Sequence, residues 1–370
     1  MKNMGFYKRY SGYLAVFPIV LLTVLVPGMA HLSVGNKLES VQNKEPRSGF
    51  HGDASRSQEP AFAPSIQSLV LTADGVLYAG TFGMGVFRSE DRGKSWRMVN
   101  GGLTDLFLLC LEVDRKGRVF AGTVRGGVFR TKEGGTDWEP INKGLKRAEV
   151  KSLLASGKGF FAGTGRGIYQ WKEAEGRWVI LSNELDQLLV PSLVMLDAHT
   201  LLAATAGGGL YGYDLQGSEP VKWNRPASEL IDPKERLSHR YLRVVAVSPQ
   251  HHIFLGTQDG GIFRSTDRGV TWHPLSHTLP NDSIRSIVSH DAGIFVATGR
   301  GVFKLGEHDE RWSPVNTGLT ELAIQTLVIS NQGVLYAGTS AGAFRSDNGG
   351  REWINVSEGL GMYTSQPRPY

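Results

Sequence analysis

After residue 64 the chain alternates short apolar runs with turn residues, four runs to a unit. In the first unit they are IQSLVL, GVLYAGT, GVFRS and SWRMVN, separated by Gly, Asp and Asn. Runs this short, bounded by such residues, predict strands. The second and third are apolar nearly throughout, not at alternate positions, which predicts a sheet covered on both faces. The Ala-Gly pair within YAGT keeps one side of its strand thin and lets a neighbouring sheet approach closely. No stretch of helical apolar period follows the N-terminus, and 47 glycines also favour turns and strands.

The unit repeats. A segment of the form GVLYAGTxxGVFRSxDxGxxWxxVNxGL recurs, its threonine falling at Thr81, Thr123, Thr164, Thr205, Thr257, Thr298 and Thr339. Most steps are 41 or 42 residues; the step from Thr205 to Thr257 is 52. A tryptophan closes each copy, at Trp96, Trp138, Trp178, Trp223, Trp272, Trp312 and Trp353. Units of about 41 residues with four strands, each covering its neighbour's face, predict the blades of a β-propeller. A linear solenoid would need polar capping repeats, and neither end carries one. The expected fold is therefore all-β: a single seven-bladed propeller of four-stranded antiparallel blades over 65–362, with a short C-terminal tail at 363–370. The body opens on the first strand of blade 1 and finishes on the fourth strand of blade 7. Residues 50–63 are the segment available for an extra outer strand.

Between the third and fourth strands stands a Ser-x-Asp-x-Gly-x-x-Trp element, SEDRGKSW at 89–96 and STDRGVTW at 265–272. Each part has a folding role. Ser89 and Ser265 end a strand. Asp91 and Asp267 accept backbone N–H bonds in the turn. Gly93 and Gly269 supply a positive φ. Trp96 and Trp272 cover the turn with their rings while burying their bodies. Other copies are looser: Glu133 and Asn348 stand at the Asp position, while 171–178 and 305–312 keep little beyond the tryptophan. A catalytic acid is not expected at several equivalent places round a ring, and too few oxygen ligands cluster for a calcium loop.

These elements resemble Asp-box (bacterial neuraminidase) repeats. Together with GVLYAGT and GVFRS, spread over about 65–360, they resemble the exported propeller of the photosystem II stability/assembly factor. Related propellers occur in xyloglucanases and sortilin-type receptors. The resemblance implies the fold, and a partner that is an envelope or membrane protein during assembly. It also frames the enzyme readings. Sialidases use six blades, an arginine triad and an Arg-Ile-Pro element; here there are seven units, and the only Arg-Pro pairs are Arg225-Pro226 and Arg368-Pro369. Xyloglucanases hold substrate between two tandem propellers, whereas the repeats here build one.

Charge and composition narrow the classes further. The formal charge is +5, of which Lys2, Lys8 and Arg9 supply +3 without any acid in 1–30, leaving +2 for 31–370. A near-neutral body with interspersed charge offers no field for a nucleic-acid backbone. Those basic residues precede LAVFPIVLLTVLV (14–26) and then PGMA, ending at Ala30, which is the form of a secretory signal over 1–30. An uncleaved anchor from Ser11 to Ala30 is the alternative. Residues 31–64 are polar with scattered Pro, Ser and Gly and read as a linker. The body is expected outside the cytoplasm, free or tethered. The single cysteine, Cys110, lies in LFLLCLEV, reads as a small core hydrophobe, and permits no intramolecular disulfide.

Propeller function resides in loops. One end of the ring carries the Ser-x-Asp turns. The other carries the loops after the second strand and the links between blades, bringing Arg125, Arg166, Asp259 and Arg300 to that end, with Lys143, Lys146 and Arg147 from a link. The insertion at 224–240 adds Lys234, Arg236, His239 and Arg240. An arginine-lined surface suits a partner bearing carboxylates. Glycoside hydrolysis would need two carboxylates about 5–10 Å apart. Asp105, Glu149, Asp186 and Asp259 lie on loops of the right kind, and no local signature pairs any two. The sequence holds no HExxH, Cys/His metal cluster or phosphate loop, and His251-His252 reads as a solvated turn. The expectation is an exported, non-enzymatic scaffold that binds a protein partner, with no catalytic residue, cofactor, metal or nucleic acid. The alternative is a carbohydrate-active enzyme or glycan-binding lectin.

Overall fold

The computed structural model describes residues 63–361 except 133–134, 147–148, 182–184, 186, 217–220, 223–240, 276–277, 281–282, 292, 307–308 and 310. The expected leader at 1–30 and most of the linker lie outside the described residues, as do Glu133, Arg147, Asp186, Trp223, Lys234, Arg236, His239 and Arg240. Among the described residues no helix is long and apolar enough to cross a membrane.

Seven sheets, each of four antiparallel strands consecutive in sequence, make up the chain from 66 to 355. In blade 1 the strands are Ile66–Leu71, Leu77–Thr81, Val86–Ser89 and Arg97–Met98, with register Ala79↔Phe87 across the middle pair. Blades 2 to 7 follow at 108–140, 150–180, 192–222, 242–274, 284–314 and 324–355. The first strand of each blade packs against the first strand of the next, and that of blade 7 packs against that of blade 1. The ring thus closes by face-to-face packing, and every blade is complete within its own segment of chain.

The core explains why the second strands are apolar throughout. Seven clusters of buried residues each join two adjacent blades. Phe87, Trp96 and Leu77 of blade 1 meet Tyr336, Ala343 and Val356 of blade 7. Tyr78 and Val86, on the other face of blade 1, meet Leu108, Ala121 and Trp138 of blade 2. A blade buries both faces in two different cores, so strand two has no solvent side to mark with polar residues. Gly80, Gly122, Gly256 and Gly338 permit that approach: a Cβ at Gly338 would press on Ile66 and Thr326. Cys110 is buried in the core between blades 2 and 3 beside Val150. Burial pushes its thiol pKa up, so it is an inert hydrophobe.

The Ser-x-Asp turn is a closed hydrogen-bond circuit. Ser89 Oγ accepts the Gly93 N–H at 2.8 Å and donates to Asp91 Oδ1 at 2.8 Å. Asp91 accepts the Ser95 N–H at 2.9 Å and the Ser95 hydroxyl at 2.5 Å. Ser265, Asp267, Gly269 and Thr271 repeat the circuit. Asn348 performs the same task in blade 7, accepting from Ser346 Oγ at 3.0 Å and from the Glu352 N–H at 2.9 Å. An amide replaces the carboxylate without loss of any backbone bond, so geometry is what the position serves.

The tryptophan does more than cover its turn. The indole N–H of Trp96, Trp138, Trp178, Trp312 and Trp353 donates to Val356, Val99, Ile141, Leu275 and Val315 O of the preceding blade, at 2.6 to 2.7 Å. The Trp138 backbone N–H also reaches Gly101 O at 2.7 Å, and the Trp353 N–H reaches Thr317 O at 2.8 Å. The glycine of each VNxGL segment fits beneath: Gly102, with φ +85°, leaves no room for a Cβ against Trp138 O. Each of these five tryptophans is thus a two-point clasp between blades. Beyond the expected cover of the turn, the indole of these five makes a bond across the blade interface. Among the described residues Trp272 is the exception, its indole donating to Gly269 O of its own turn at 3.2 Å.

Candidate functional site

Antiparallel strands put the ends of strands two and four at one end of the ring and the Ser-x-Asp turns at the other. At the first end every loop after strand two is clamped by its threonine. All seven threonines are 0% exposed. Their hydroxyls donate to Gly85, Gly127, Gly167, Gly209, Gly261, Gly301 and Gly342 O at 2.7 to 3.1 Å. In every case but Thr205 the same oxygen accepts a loop N–H, including those of Arg166 and Arg300 at 3.0 Å. Asn100, Asn142 and Asn316 brace the loops from the outer strand, accepting the N–H of Val86, Val128 and Val302. These loops are rigid mounts. They hold Arg125 and Arg300 exposed, Arg166 half-buried and Asp259 exposed, on blades 2, 6, 3 and 5. Lys146 is exposed on the link between blades 2 and 3.

Two further features at this end escaped the sequence reading. The first is apolar. Phe82, Phe107, Tyr241 and Leu322 are 51%, 45%, 53% and 41% exposed, all on loops or links at this end. Phe82 and Phe107 meet edge to face, ring centroids 4.9 Å apart. Exposed large apolar side chains amid arginine are the composition of a protein-binding surface. Phe107 and Tyr241 stand at the same repeat position, directly before strand one of blades 2 and 5, while Phe82 and Leu322 occupy two others.

The second is cationic. The pairing of strands one and two slips at the second residue of strand one, leaving Gln67, Leu109, Lys151, Arg243, Arg285 and Gln325 as bulged positions. A bulge re-aims a side chain, and here it does so on the innermost strand near the loop end. Arg243 Nη1 donates to Ser283 Oγ at 3.1 Å; Arg285 Nη1 donates to Ile324 O at 3.3 Å, while its Nε is buried without a partner. Burial pushes both guanidinium pKa values down, and the Arg285 charge adds to the effect on Arg243. Glu321 is the acid that acts on Arg285, and among the described residues neither arginine makes an ion pair. Aligning the repeats puts these residues in one column, which is the signal that could have found them.

Among the described residues, Asp105 and Glu149 are each engaged by local partners. Burial would raise the Asp105 pKa, but the Phe107, Arg125 and Gly126 N–H groups and the Thr123 hydroxyl outweigh it and hold the carboxyl below its ordinary range. Asp105 Oδ2 accepts the Arg125 N–H at 2.7 Å and so positions that loop. Glu149 is paired with Lys151 at 2.8 Å. Glu112 is the acid the sequence reading missed, hidden in LFLLCLEV. It occupies the inner-strand position held by Val70, Leu154, Ala246, Val288 and Val328 elsewhere, and burial pushes its pKa up to about 8. His251 is exposed with φ +61°, and His252 is half-buried.

Residues 86–99 match the family model described as the BNR-Asp box repeat, one strand-turn-strand element out of the seven. No curated protein matches the sequence. Among solved structures, the extracellular domain of a hybrid two-component system from B. thetaiotaomicron superposes with a TM-score of 0.61 at 16% identity, over 77% of this chain and 40% of that one. The GH74 xyloglucanase from Xanthomonas campestris gives 0.63 at 14% identity, over 82% of this chain and 56% of that one. The WD40 β-propeller domain of Doa1 gives 0.58 at 16% identity, over 79% and 96%. The chain thus spans roughly half the length of the first two and nearly all of the third. At these identities the likeness is one of fold.

Proposed function

We infer that this protein is an exported, non-enzymatic scaffold that engages an acidic protein partner through the loop end of the ring. The observation that carries the reading is the exposure of Phe82, Phe107, Tyr241 and Leu322 at the same end as Arg125, Arg166 and Arg300. Aromatic anchors supply desolvation and guanidinium groups supply carboxylate recognition, and both stand on loops that the threonine clamps preorganise. Export is supported by the basic-then-apolar N-terminus and by the likeness to an extracellular domain. Resemblance to an assembly factor supports an envelope or membrane protein as partner.

The reading from another class is carbohydrate recognition. Its support is Glu112, a carboxylic acid kept protonated near neutral pH inside the ring. Hydrolysis needs a second carboxylate. With Asp105 and Glu149 engaged as described, binding without cleavage is the form this reading takes.

Capture from an envelope extract tests the proposal. Wild type is expected to recover a discrete partner that both Phe82→Ser/Phe107→Ser and Arg125→Ala/Arg166→Ala/Arg300→Ala lose, with unchanged melting temperatures. Equal recovery by all three proteins overturns it. Cleavage of β-glucans or sialosides by the wild type, lost in Glu112→Gln, would replace it by the enzyme reading.

A further inference from the structure

The third strand carries a cation directly after its phenylalanine in five blades: Arg88, Arg130, Arg264, Lys304 and Arg345. In three of them the arginine is neutralised at home. Arg88 pairs with Glu90 and donates from Nε to Tyr78 Oη at 3.0 Å. Arg130 pairs with Glu139, and Arg345 donates to Asp347 at 3.0 Å from Nε. Blade 5 has lost every one of these partners. Phe254 stands where Tyr78 is, Thr266 where Glu90 and Asp347 are, and His273 where Glu139 is. Arg264 Nε is left buried with no partner.

That nitrogen is not alone. Arg264 lines a cavity of about 90 Å³ between blades 5 and 6, on the Ser-x-Asp end of the ring, with His252, His290, Ser248, Ser289 and Asp291. His290 Nδ1 is a second buried atom there without a partner. Ser248 Oγ accepts the His252 N–H at 3.3 Å, which leaves its own proton free to donate. Buried polar atoms are nearly always satisfied, and two orphans on residues that line one void call for a ligand. At ~30 Å³ per water the void holds roughly three waters, or one small oxyanion.

We propose that this cavity binds a phosphate- or sulfate-type oxyanion. The donors come from several sides: a guanidinium from strand three, imidazoles from two different blades and two hydroxyls. That arrangement suits a tetrahedral group better than a planar carboxylate, which a single guanidinium fork satisfies. Among the described residues Asp291 is the one acid lining the cavity; it is exposed and makes no ion pair with Arg264. Its charge opposes the anion and sets an upper limit on affinity. The site lies at the opposite end from the proposed docking surface and stands independently of it.

Titration calorimetry on the full chain with inorganic phosphate, inorganic sulfate and phenyl phosphate is the test. Saturable binding of one equivalent is expected, weakened at least ~10-fold by Arg264→Gln, the loss of a charge-assisted contact, and tightened a few-fold by Asp291→Asn. Thr266→Glu recreates the blade 1 ion pair and should abolish binding while keeping or raising the melting temperature. Binding of phenyl phosphate as well identifies a terminal group on a larger molecule as an acceptable ligand; binding of the inorganic ions alone identifies the free ion. Absence of saturable binding, or equal affinity in wild type and Thr266→Glu with the fold intact, overturns the proposal.

Discussion

Blades 1 and 5 carry nearly the same turn, SEDRGKSW and STDRGVTW, and the same internal hydrogen bonds, yet they end in different chemistry. In blade 1 the arginine before the turn is quenched by Glu90 and Tyr78, and Trp96 reaches out to blade 7. In blade 5 the equivalent arginine faces a cavity unpaired, and Trp272 bonds within its own turn. The motif fixes the turn; the residues around it decide whether its surroundings are closed or open. A repeat that is constant where it folds is free to diverge one residue away.

The largest expected effect tests the closed side of that comparison. Gly359 has φ +83°, and a Cβ there would collide with Trp96 O across the junction of blades 7 and 1. Gly359→Ala should lower stability by ~3 kcal/mol, combining left-handed strain with loss of the clasp. Urea unfolding measures it, and a loss under ~1 kcal/mol would show that the clasp does not hold the ring closed. Next comes the tryptophan pair. Trp96→Phe strands the buried Val356 carbonyl and should cost ~2 kcal/mol, whereas Trp272→Phe removes only a long bond within the turn and should cost less than ~1 kcal/mol. Equal losses would erase the distinction between the two blades.

A smaller effect separates turn geometry from charge. The Ser95 hydroxyl is the main cause holding the Asp91 pKa down to about 2; at Asp267 burial opposes the shift and the Thr271 bonds outweigh it, again to about 2. Because the folded pKa lies below the ordinary 3.8, the contribution of these carboxylates is complete above about pH 4 and disappears as pH falls through about 2. Asn348 already does the same work uncharged. Asp91→Asn/Asp267→Asn should therefore match wild type at pH 7 and flatten the acid limb of a melting-temperature profile. A large loss at pH 7 would mean that the charge itself serves the fold. The smallest effect concerns Arg92 and Arg268, at φ +64° and +62° where blade 7 has Gly349 at +69°. Arg92→Gly should stabilise by up to ~1 kcal/mol. Arg268→Gly should gain less, since Arg268 also pairs with Asp197. Thermal melts of the two variants rank them.

Much of this molecule was legible as sequence. The seven threonine clamps, the four runs per unit and the Ser-x-Asp turn all follow from contacts within about fifteen residues, so a repeated local pattern implies a repeated local structure. The end of the ring bearing Arg125, Arg166, Asp259 and Arg300 was legible too, because antiparallel strands send alternate loops to opposite ends. The anchors Phe82, Phe107, Tyr241 and Leu322 were not, since an apolar residue in a loop looks the same on paper whether covered or bare. Glu112 was concealed by its apolar neighbours in the chain.

The sequence by itself determined the number of blades, their strands and the turns, since each is settled by residues close together along the backbone. Only the tertiary structure decided that the indole of Trp96 bonds 260 residues away to Val356, that Arg243 and Arg285 lie close enough to repel, and that Arg264 opens on His290. In each case the deciding atom belongs to another blade. Burial and charge act through space, and the neighbour across a blade interface is one whole repeat or more distant along the chain.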